Sequence, residues 1–312
     1  MTGRNPSGAA GAYAGRTFII LNPAAGQDNP ARLRRTIGGA FAERNAPFDL
    51  AQTEYPGHAT ELARFAAEAG YRAVCVVGGD GTLAEAATGL VEYRTPLAII
   101  PRGTANQVAQ NLQIPTRLEA AVDVAVNGTP VDVDLGRVNG RAFALVAGAG
   151  FDAAVMAAAT RSMKERWGFA AYIFAAVKEA LSATPAHFHI TADDRVIEVS
   201  AVSVMLANVS ELFASFLPFT VPLAPAPARS WQDGLLDVVI VAPRSVTEFA
   251  AVLWKAVQHR FGGDDRLIHF QAREVTIQAD PPVPVQIDGD PAGTTPVTAA
   301  ALPRGVRIMT PG

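Results

Sequence analysis

Ala73-Val74-Cys75-Val76-Val77-Gly78-Gly79-Asp80-Gly81-Thr82 runs five apolar residues straight into a glycine turn. A short unbroken apolar run reads as a strand buried on both faces, the kind found in parallel sheets. The turn then opens a helix near Thr82 that ends near Val91. Strand, tight turn and helix together aim unpaired backbone N–H groups at an anion and add the positive end of the helix dipole. A glycine pair alone proves little, because any strand-to-helix turn can require a positive φ. Asp80 sharpens the reading. A carboxylate beside a phosphate is repelled unless a cation lies between them, which suits a Mg²⁺ or Mg²⁺-water partner. A turn former or helix cap is the plainer alternative.

The same unit repeats on either side. Phe18-Ile19-Ile20-Leu21 reads as a buried strand ending in the turn Asn22-Pro23-Ala24-Ala25-Gly26. Asn29-Pro30 then starts a helix to about Arg44, with asparagine as cap and proline at the first helical position. A strand around Asp49 to Thr53 precedes a Gly57-His58 turn and an alanine-rich helix to Ala69. Leu97-Ala98-Ile99-Ile100 meets Pro101-Arg102-Gly103-Thr104 and another helix start. This alternation predicts a doubly wound parallel sheet covered by helices on both faces. Three glycine turns at the carboxyl ends of parallel strands mark where open sheets bind ligands.

Past Asp134 the rhythm changes to alternating strands: Phe188-His189-Ile190, Val199 to Leu206, Leu236 to Val241 and Val275-Thr276-Ile277. Helices are expected at Phe151 to Arg161, Phe169 to Ala183 and Ser245 to Gln258. The chain is thus α/β plus mainly β: a loose tail over 1–15, a nucleotide-binding α/β domain over 16–138, and an antiparallel β-sandwich-like acceptor domain over 139–312. Its last strand is free to return to the first domain. The proline-rich stretch Pro218 to Pro227 reads as a loop, since it cannot make a central strand.

Composition narrows the function. A length of 312 residues suits two domains of about 150 residues. The net charge of -3 offers no long-range attraction to nucleic acid or an acidic bilayer, so any membrane contact is local and peripheral. No apolar stretch reaches the roughly eighteen residues of a membrane span, and residues 1–15 lack a secretion signal. Cys75, the single cysteine, sits within a strand; the absence of disulfides fits a reducing cytoplasm. The five histidines show no metal-ligand spacing. Oligomeric state is not readable, although edge strands of a β domain commonly pair into homodimers.

The three turns, in order and spacing, resemble the nucleotide motifs of the diacylglycerol kinase and sphingosine kinase superfamily, in particular its bacterial lipid kinases. Asp134-Leu135-Gly136-Arg137-Val138-Asn139-Gly140, Gly148 to Asp152, Asp233-Gly234-Leu235-Leu236-Asp237 and Asp288-Gly289-Asp290-Pro291 extend the resemblance over nearly the whole chain after residue 16. It implies an NAD-kinase-like first domain and transfer of the ATP γ-phosphate to a lipid hydroxyl at a membrane surface, placing the protein in the cytoplasm, peripheral to the inner face. Carried over by motif, nucleotide contacts fall on Asn22, Pro23, Ala24, Ala25, Gly26, Thr53, Gly79, Asp80, Gly81, Thr82, Leu83, Glu85 and Thr104. Asp80 and Asp134 join a Mg²⁺ and phosphate network. A second, structural metal is held by Asp233 with main-chain oxygens of Ser230 and Leu235. Asp290 matches the proton acceptor. From pattern alone, Asp288-Gly289-Asp290 serves equally as a hairpin turn.

Some positions depart from the family pattern. Gln107 stands where an aspartate usually follows the asparagine, and Ala84 replaces a polar residue. Asp290 replaces glutamate, withdrawing the carboxylate by about 1.5 Å, where misplacement of about 1 Å can cost on the order of a hundredfold in rate. Leu212, Phe213, Phe216, Leu217, Phe219 and Leu223 crowd a segment expected to be polar and glycine-rich, either as core or as a lipid entrance. Two rival readings are a catalytically weak lipid or nucleotide sensor and an NAD kinase. The chain contains no Asn-Glu pair of the kind NAD kinases use for the ribose. The lipid itself is left open among diacylglycerol, phosphatidylglycerol and sphingoid bases.

Overall fold

The computed structural model describes residues 13–26, 29–151, 153, 185–209, 211–213, 220–222, 230–243, 245, 247–248 and 265–312. Two compact units divide it: one holds the described residues up to Val133 together with Arg304–Gly312, the other Asp134–Pro303. The sequence placed the boundary five residues later, at 138, within a strand shared by both.

The first unit alternates β1 (Thr17–Leu21), α1 (Pro30–Glu43), β2 (Phe48–Gln52), α2 (His58–Glu68), β3 (Ala73–Gly78), α3 (Asp80–Leu90), β4 (Leu97–Pro101), α4 (Gln107–Asn111) and α5 (Leu118–Asn127). Its strands are parallel, in the order β2-β1-β3-β4. Strands β1, β3 and β4 are buried throughout, which is why they read as continuous apolar runs. Ile19, Leu21, Cys75, Val77, Ala98 and Ile100 share one core with Ile37 and Phe41 of α1 and with α5. Burial pushes the Cys75 thiol up to about 12, so it is a packing residue.

Local chemistry explains the helix starts. The Asn29 side chain accepts hydrogen bonds from Ala31 and Arg32 N–H, and Pro30 occupies the first helical position. Helix α3 begins at Asp80 rather than near Thr82, because Gly79 takes the cap position and Asp80-Gly81 is already helical. Helix α5 was passed over in the sequence, yet its apolar positions 118, 121, 122 and 124–126 are all buried. That spacing is the signal that marks it.

In the second unit the chain makes β5 (Thr129–Val138, begun in the first unit), β6 (Arg141–Phe143), β7 (Val146–Gly150), β8 (Ala186–Ala192), β9 (Arg195–Ala201) and β10 (Ser203–Ala207). It continues through β11 (Glu211–Phe213), β12 (Thr220–Pro222), β13 (Leu236–Val241), β14 (Leu267–Ala272), β15 (Glu274–Asp280), β16 (Pro284–Ile287), β17 (Asp290–Thr294) and β18 (Val297–Thr310). One antiparallel sheet runs β14-β13-β10-β7-β16-β17; in another, β15 lies between β18 and β8, with β9 beyond. Side chains of both sheets, among them Phe188, Ile190, Val275, Leu206, Val238 and Val285, build one core. This is the sandwich expected from the alternation.

Two expectations need correction. Val199 to Leu206 is not one strand: it breaks at Val202, and β9 and β10 belong to different sheets. Val202 N–H donates to Val241 O of β13 at 2.9 Å and its carbonyl accepts from Phe151, just after β7, at 2.8 Å, so Val202 already bonds to the two strands that flank β10. Part of the proline-rich stretch is β12, which among the described residues pairs with β11 alone as a small separate ladder. The helices expected at Phe151 to Arg161, Phe169 to Ala183 and Ser245 to Gln258 fall almost wholly outside the described residues. So do Phe216, Leu217, Phe219, Leu223 and most of the tail. The end of β18 returns to the first unit, where Ile308 lies parallel beside Leu97 of β4.

Candidate active site

In the first unit, the turns after β1, β3 and β4 are fastened into one body. Asn22 N–H donates to Val77 O at 3.0 Å, its Oδ1 accepts from Ala24 N–H at 2.9 Å, and its Nδ2 donates to the buried Thr82 Oγ1 at 2.8 Å. Arg102 N–H donates to Gly78 O at 2.8 Å. A methyl group on Gly103 would stand 2.5 Å from the Cα of Gly79, so only glycine permits the approach of these two turns. Asn106 locks the last turn by accepting from Gly103 N–H and donating to Gly103 O, both at 2.8 Å. Helix α3 starts on Gly79 with no side chain capping it, which leaves its dipole end for an anion.

The remaining residues picked out in this half occupy distinct places. Pro23, Ala24, Gly26 and Thr104 are exposed on the turns, Ala25 is half-buried, and Leu83 is buried in the core. Gly81 is exposed in the first turn of α3. Thr53 N–H continues the sheet by donating to Leu21 O at 3.0 Å. The Glu85 carboxylate accepts from Gly57 N–H at 2.8 Å and Ala59 N–H at 3.2 Å, so in this structure it caps α2.

Asp80 also caps a helix, but not its own. Its two oxygens accept from Gln107 N–H at 3.0 Å and Val108 N–H at 3.1 Å, at the start of α4. Asn106, which precedes that helix, has turned to Gly103 instead. Burial pushes the Asp80 carboxyl above its ordinary range, opposed by these N–H groups. A carboxylate whose charge is disfavoured by burial suits a cation.

In the second unit a different kind of site is assembled. Asp288-Gly289 is a two-residue hairpin turn between β16 and β17, with Ile287 opposite Asp290 and positive φ of 48° and 89° at the turn residues. The hairpin geometry therefore holds, and charge is built onto it. Asp288 accepts three backbone N–H groups in succession, from Ala144 at 2.8 Å and from Leu145 and Val146 at 3.0 Å each. Gln286 Oε1 accepts from Gly289 N–H at 2.7 Å. Asp290, the next residue, is exposed and pairs with Arg141 at 2.9 Å.

Asp134 is 2% exposed, and its Oδ2 accepts from Gly234 N–H at 2.7 Å. Next to Gly234, Asp233 accepts from Leu235 N–H at 2.9 Å and from Gln271 Nε2 at 3.1 Å. Burial raises the Asp233 carboxyl, and the charges of Asp237 and Asp134 raise it further. Crowded carboxylates of this kind suit a cation, and Ser230, which opens the 3₁₀ turn Ser230–Gln232, lies three residues away. Among the described residues no cluster of three or more carboxylate, histidine or cysteine groups is arranged to hold a metal by side chains alone. Any metal here would depend on main-chain oxygens.

Two residues of this half, Asn208 and Arg141, have no role in the sequence reading, and Asp288 figures there only in its motif and as a hairpin turn. The Asp-Gly dipeptide pointed to a hairpin but not to the clamp on residues 144–146. Asn208 and Arg141 carry no local signal.

The whole arrangement has known counterparts. Residues 16–138 match the diacylglycerol kinase catalytic domain, and residues 145–310 match the YegS C-terminal NAD kinase beta sandwich-like domain. A Bacillus subtilis protein named diacylglycerol kinase is 26% identical over 299 residues, covering 95% of this chain and 96% of that protein. A Staphylococcus carnosus diacylglycerol kinase is 26% identical over 298 residues, covering 95% of each. A crystal structure of a diacylglycerol kinase from Bacillus anthracis superposes with a TM-score of 0.77 at 25% identity, over 95% of this chain and 97% of that one. With its two halves matched in order from residue 16 to residue 310, this chain belongs to the diacylglycerol kinase family of lipid kinases.

Proposed function

We propose that this lipid kinase transfers the γ-phosphate of ATP, with Mg²⁺, to the hydroxyl of a diacylglycerol-type lipid at a membrane surface. The observation that carries this reading is the close approach of Gly79 and Gly103, which joins the turns after β3 and β4 beside the uncapped start of α3. Phosphoryl transfer needs positioning and charge neutralisation more than covalent chemistry by the protein. The turn N–H groups hold the phosphates. Asp290 accepts the proton of the lipid hydroxyl as its oxygen bonds to the γ-phosphorus, and the bond to the β–γ bridging oxygen breaks to release ADP. Arg141 steadies the Asp290 carboxylate at the first residue of β17. Mg²⁺ would neutralise phosphate charge, with Asp80 the carboxylate that the first unit offers it and Asp134 the one that the second unit offers. The metal at Asp233, with main-chain oxygens of Ser230 and Leu235, would be structural. The lipid is reached from the surface: among the described residues no helix is long and apolar enough to cross a membrane.

The test is transfer of label from γ-labelled ATP to dioleoylglycerol in phosphatidylglycerol vesicles with Mg²⁺. Label should appear in the lipid, and Asp290→Asn should lower kcat by about 10²–10⁴-fold. Label in NAD instead of lipid, or ATP binding without turnover on any lipid acceptor, sinks the proposal. The second result would favour a sensor.

A further inference from the structure

Asn208 is 2% exposed and directly follows β10. Its backbone N–H donates to Leu145 O at 2.8 Å, and its Nδ2 donates to two carbonyls, Asp134 O at 2.8 Å and Ala144 O at 3.0 Å. A neutral amide can put two hydrogens from one nitrogen on two main-chain oxygens without burying a charge; a carboxylate donates nothing, and an ammonium would bury its charge. The two peptides it joins matter. One belongs to Asp134, whose carboxylate is fixed by Gly234 N–H. The other belongs to Ala144, first of the three residues whose N–H groups clamp Asp288, which in turn donates its own N–H to Val146 O at 2.9 Å. Two residues beyond Asp288 stands Asp290. The hydrogen-bonded path therefore runs from Asp134 through Asn208 and residues 144–146 to the hairpin that carries Asp290.

Asn208 Oδ1, meanwhile, is buried with no hydrogen-bond partner among the described residues. An unsatisfied acceptor weakens the case for packing as this residue's purpose. Its value lies in the two donor bonds.

We infer that Asn208 is a positioning residue for phosphoryl transfer, setting the place of the Asp290 carboxylate relative to Asp134. The inference rests on the reading of Asp290 as proton acceptor. Asn208 touches no reacting atom in this scheme and acts through the main chain of residues 134 and 144.

The experiment compares wild type, Asn208→Ala, Asp290→Ala and the double variant in the vesicle assay. Asn208→Ser, which keeps one donor, replaces Asn208→Ala should that variant fail to fold. The expected result is a kcat lowered about tenfold to a hundredfold by Asn208→Ala, with the KM for ATP within about twofold of wild type because the glycine turns are built from other residues. In the Asp290→Ala background the Asn208 change should have no further effect on the residual rate. In nucleotide-free and metal-free protein, amide exchange at residues 144–146 and 289 should speed up in Asn208→Ala. A kcat near wild type, a parallel loss of ATP affinity, or losses that multiply in the double variant overturns the inference. An Asp290→Ala protein as active as wild type overturns the proton-acceptor reading and this inference with it. A dead Asp290→Ala beside a fully active Asn208→Ala removes the positioning role alone.

Discussion

The proposed phosphate end and the proposed acceptor end of this enzyme are built from different materials. At the first, main chain meets main chain, Gly79 against Gly103, Arg102 N–H on Gly78 O and Asn22 N–H on Val77 O, with the Asn22 and Asn106 side chains fastening the turns locally. At the acceptor end, side chains reach across the fold to hold main chain: Asp288 on residues 144–146, Asn208 on the carbonyls of 134 and 144, Asp134 on Gly234. The difference teaches where each end is vulnerable. A site made of backbone approach is broken by adding atoms, and a site made of side-chain bonds is broken by removing them.

Removal should have the larger effect. Asp288→Ala strips the acceptor from three consecutive N–H groups in a half-buried position. At roughly 1–1.5 kcal/mol each after solvent competition, a loss of about 3 kcal/mol or more is expected. Urea denaturation should show it as a lowered midpoint at constant slope. Lipid phosphorylation should fall with it even under conditions where the variant is folded, because the turn beneath Asp290 is released. A loss under 1 kcal/mol would mean that the hairpin holds itself and the clamp is incidental.

Addition comes next. Gly103→Ala places a methyl 2.5 Å from Gly79 Cα and 3.0 Å from Asn106 Oδ1, and the first neighbour is backbone that cannot swing aside. The two turns must part. A destabilisation of about 1–3 kcal/mol is expected, as for other overpacked sites, and ATP affinity measured by calorimetry should fall at least tenfold, about 1.4 kcal/mol. Unchanged affinity would show that the phosphates do not rest on this pair of turns, and the contrast between the two ends would fail on the phosphate side.

The contrast also explains what the sequence discloses. Glycine spacing is local, so Gly26, Gly79 and Gly103 stand out in the chain before any fold is known, and strand-turn-helix order places them at the carboxyl ends of the parallel strands. Asn29-Pro30 is similarly local, and its helix begins as read. The Asp288 clamp joins positions 142–144 residues apart, and the Arg141 pair spans 149. No window of sequence contains both partners of such bonds. Asp80 shows an intermediate case: its place in the turn is visible, but its cap on α4 depends on Asn106 having turned away to Gly103. The break at Val202 was hidden for another reason. The residues on either side of Val202 are all compatible with a strand, so only the change of sheet reveals that there are two.

The smallest effect separates scaffold from site within the first unit. Just before β1, Arg16 grips Asp49 with Nε and Nη2, both at 2.7 Å, and Tyr71 donates its hydroxyl to the same carboxylate at 2.9 Å. The Arg16 hydrogen bond holds the Asp49 carboxyl below its ordinary 3.8, while burial and Asp49 push the Tyr71 phenol up to about 12. The signs follow. Asp49 contributes stability that is fully present above 3.8 and is lost as pH falls through its lowered folded value; Tyr71 contributes stability present below 10 and lost as pH rises towards about 12. The pair is partly exposed, so solvent screening keeps the effect small. Asp49→Asn should lower Tm by about 2 °C near neutral pH, and the gap from wild type should close as pH drops below 3.8. Because the turns after β1, β3 and β4 are held by their own main chain and by the side chains of Asn22 and Asn106, none of which touches Asp49, ATP affinity in the same variant should stay at the wild-type value. A weakened affinity would mean that the charge cluster at the start of β1 is transmitted along the strands to the phosphate end, and that the turns are less self-sufficient than their hydrogen bonds imply.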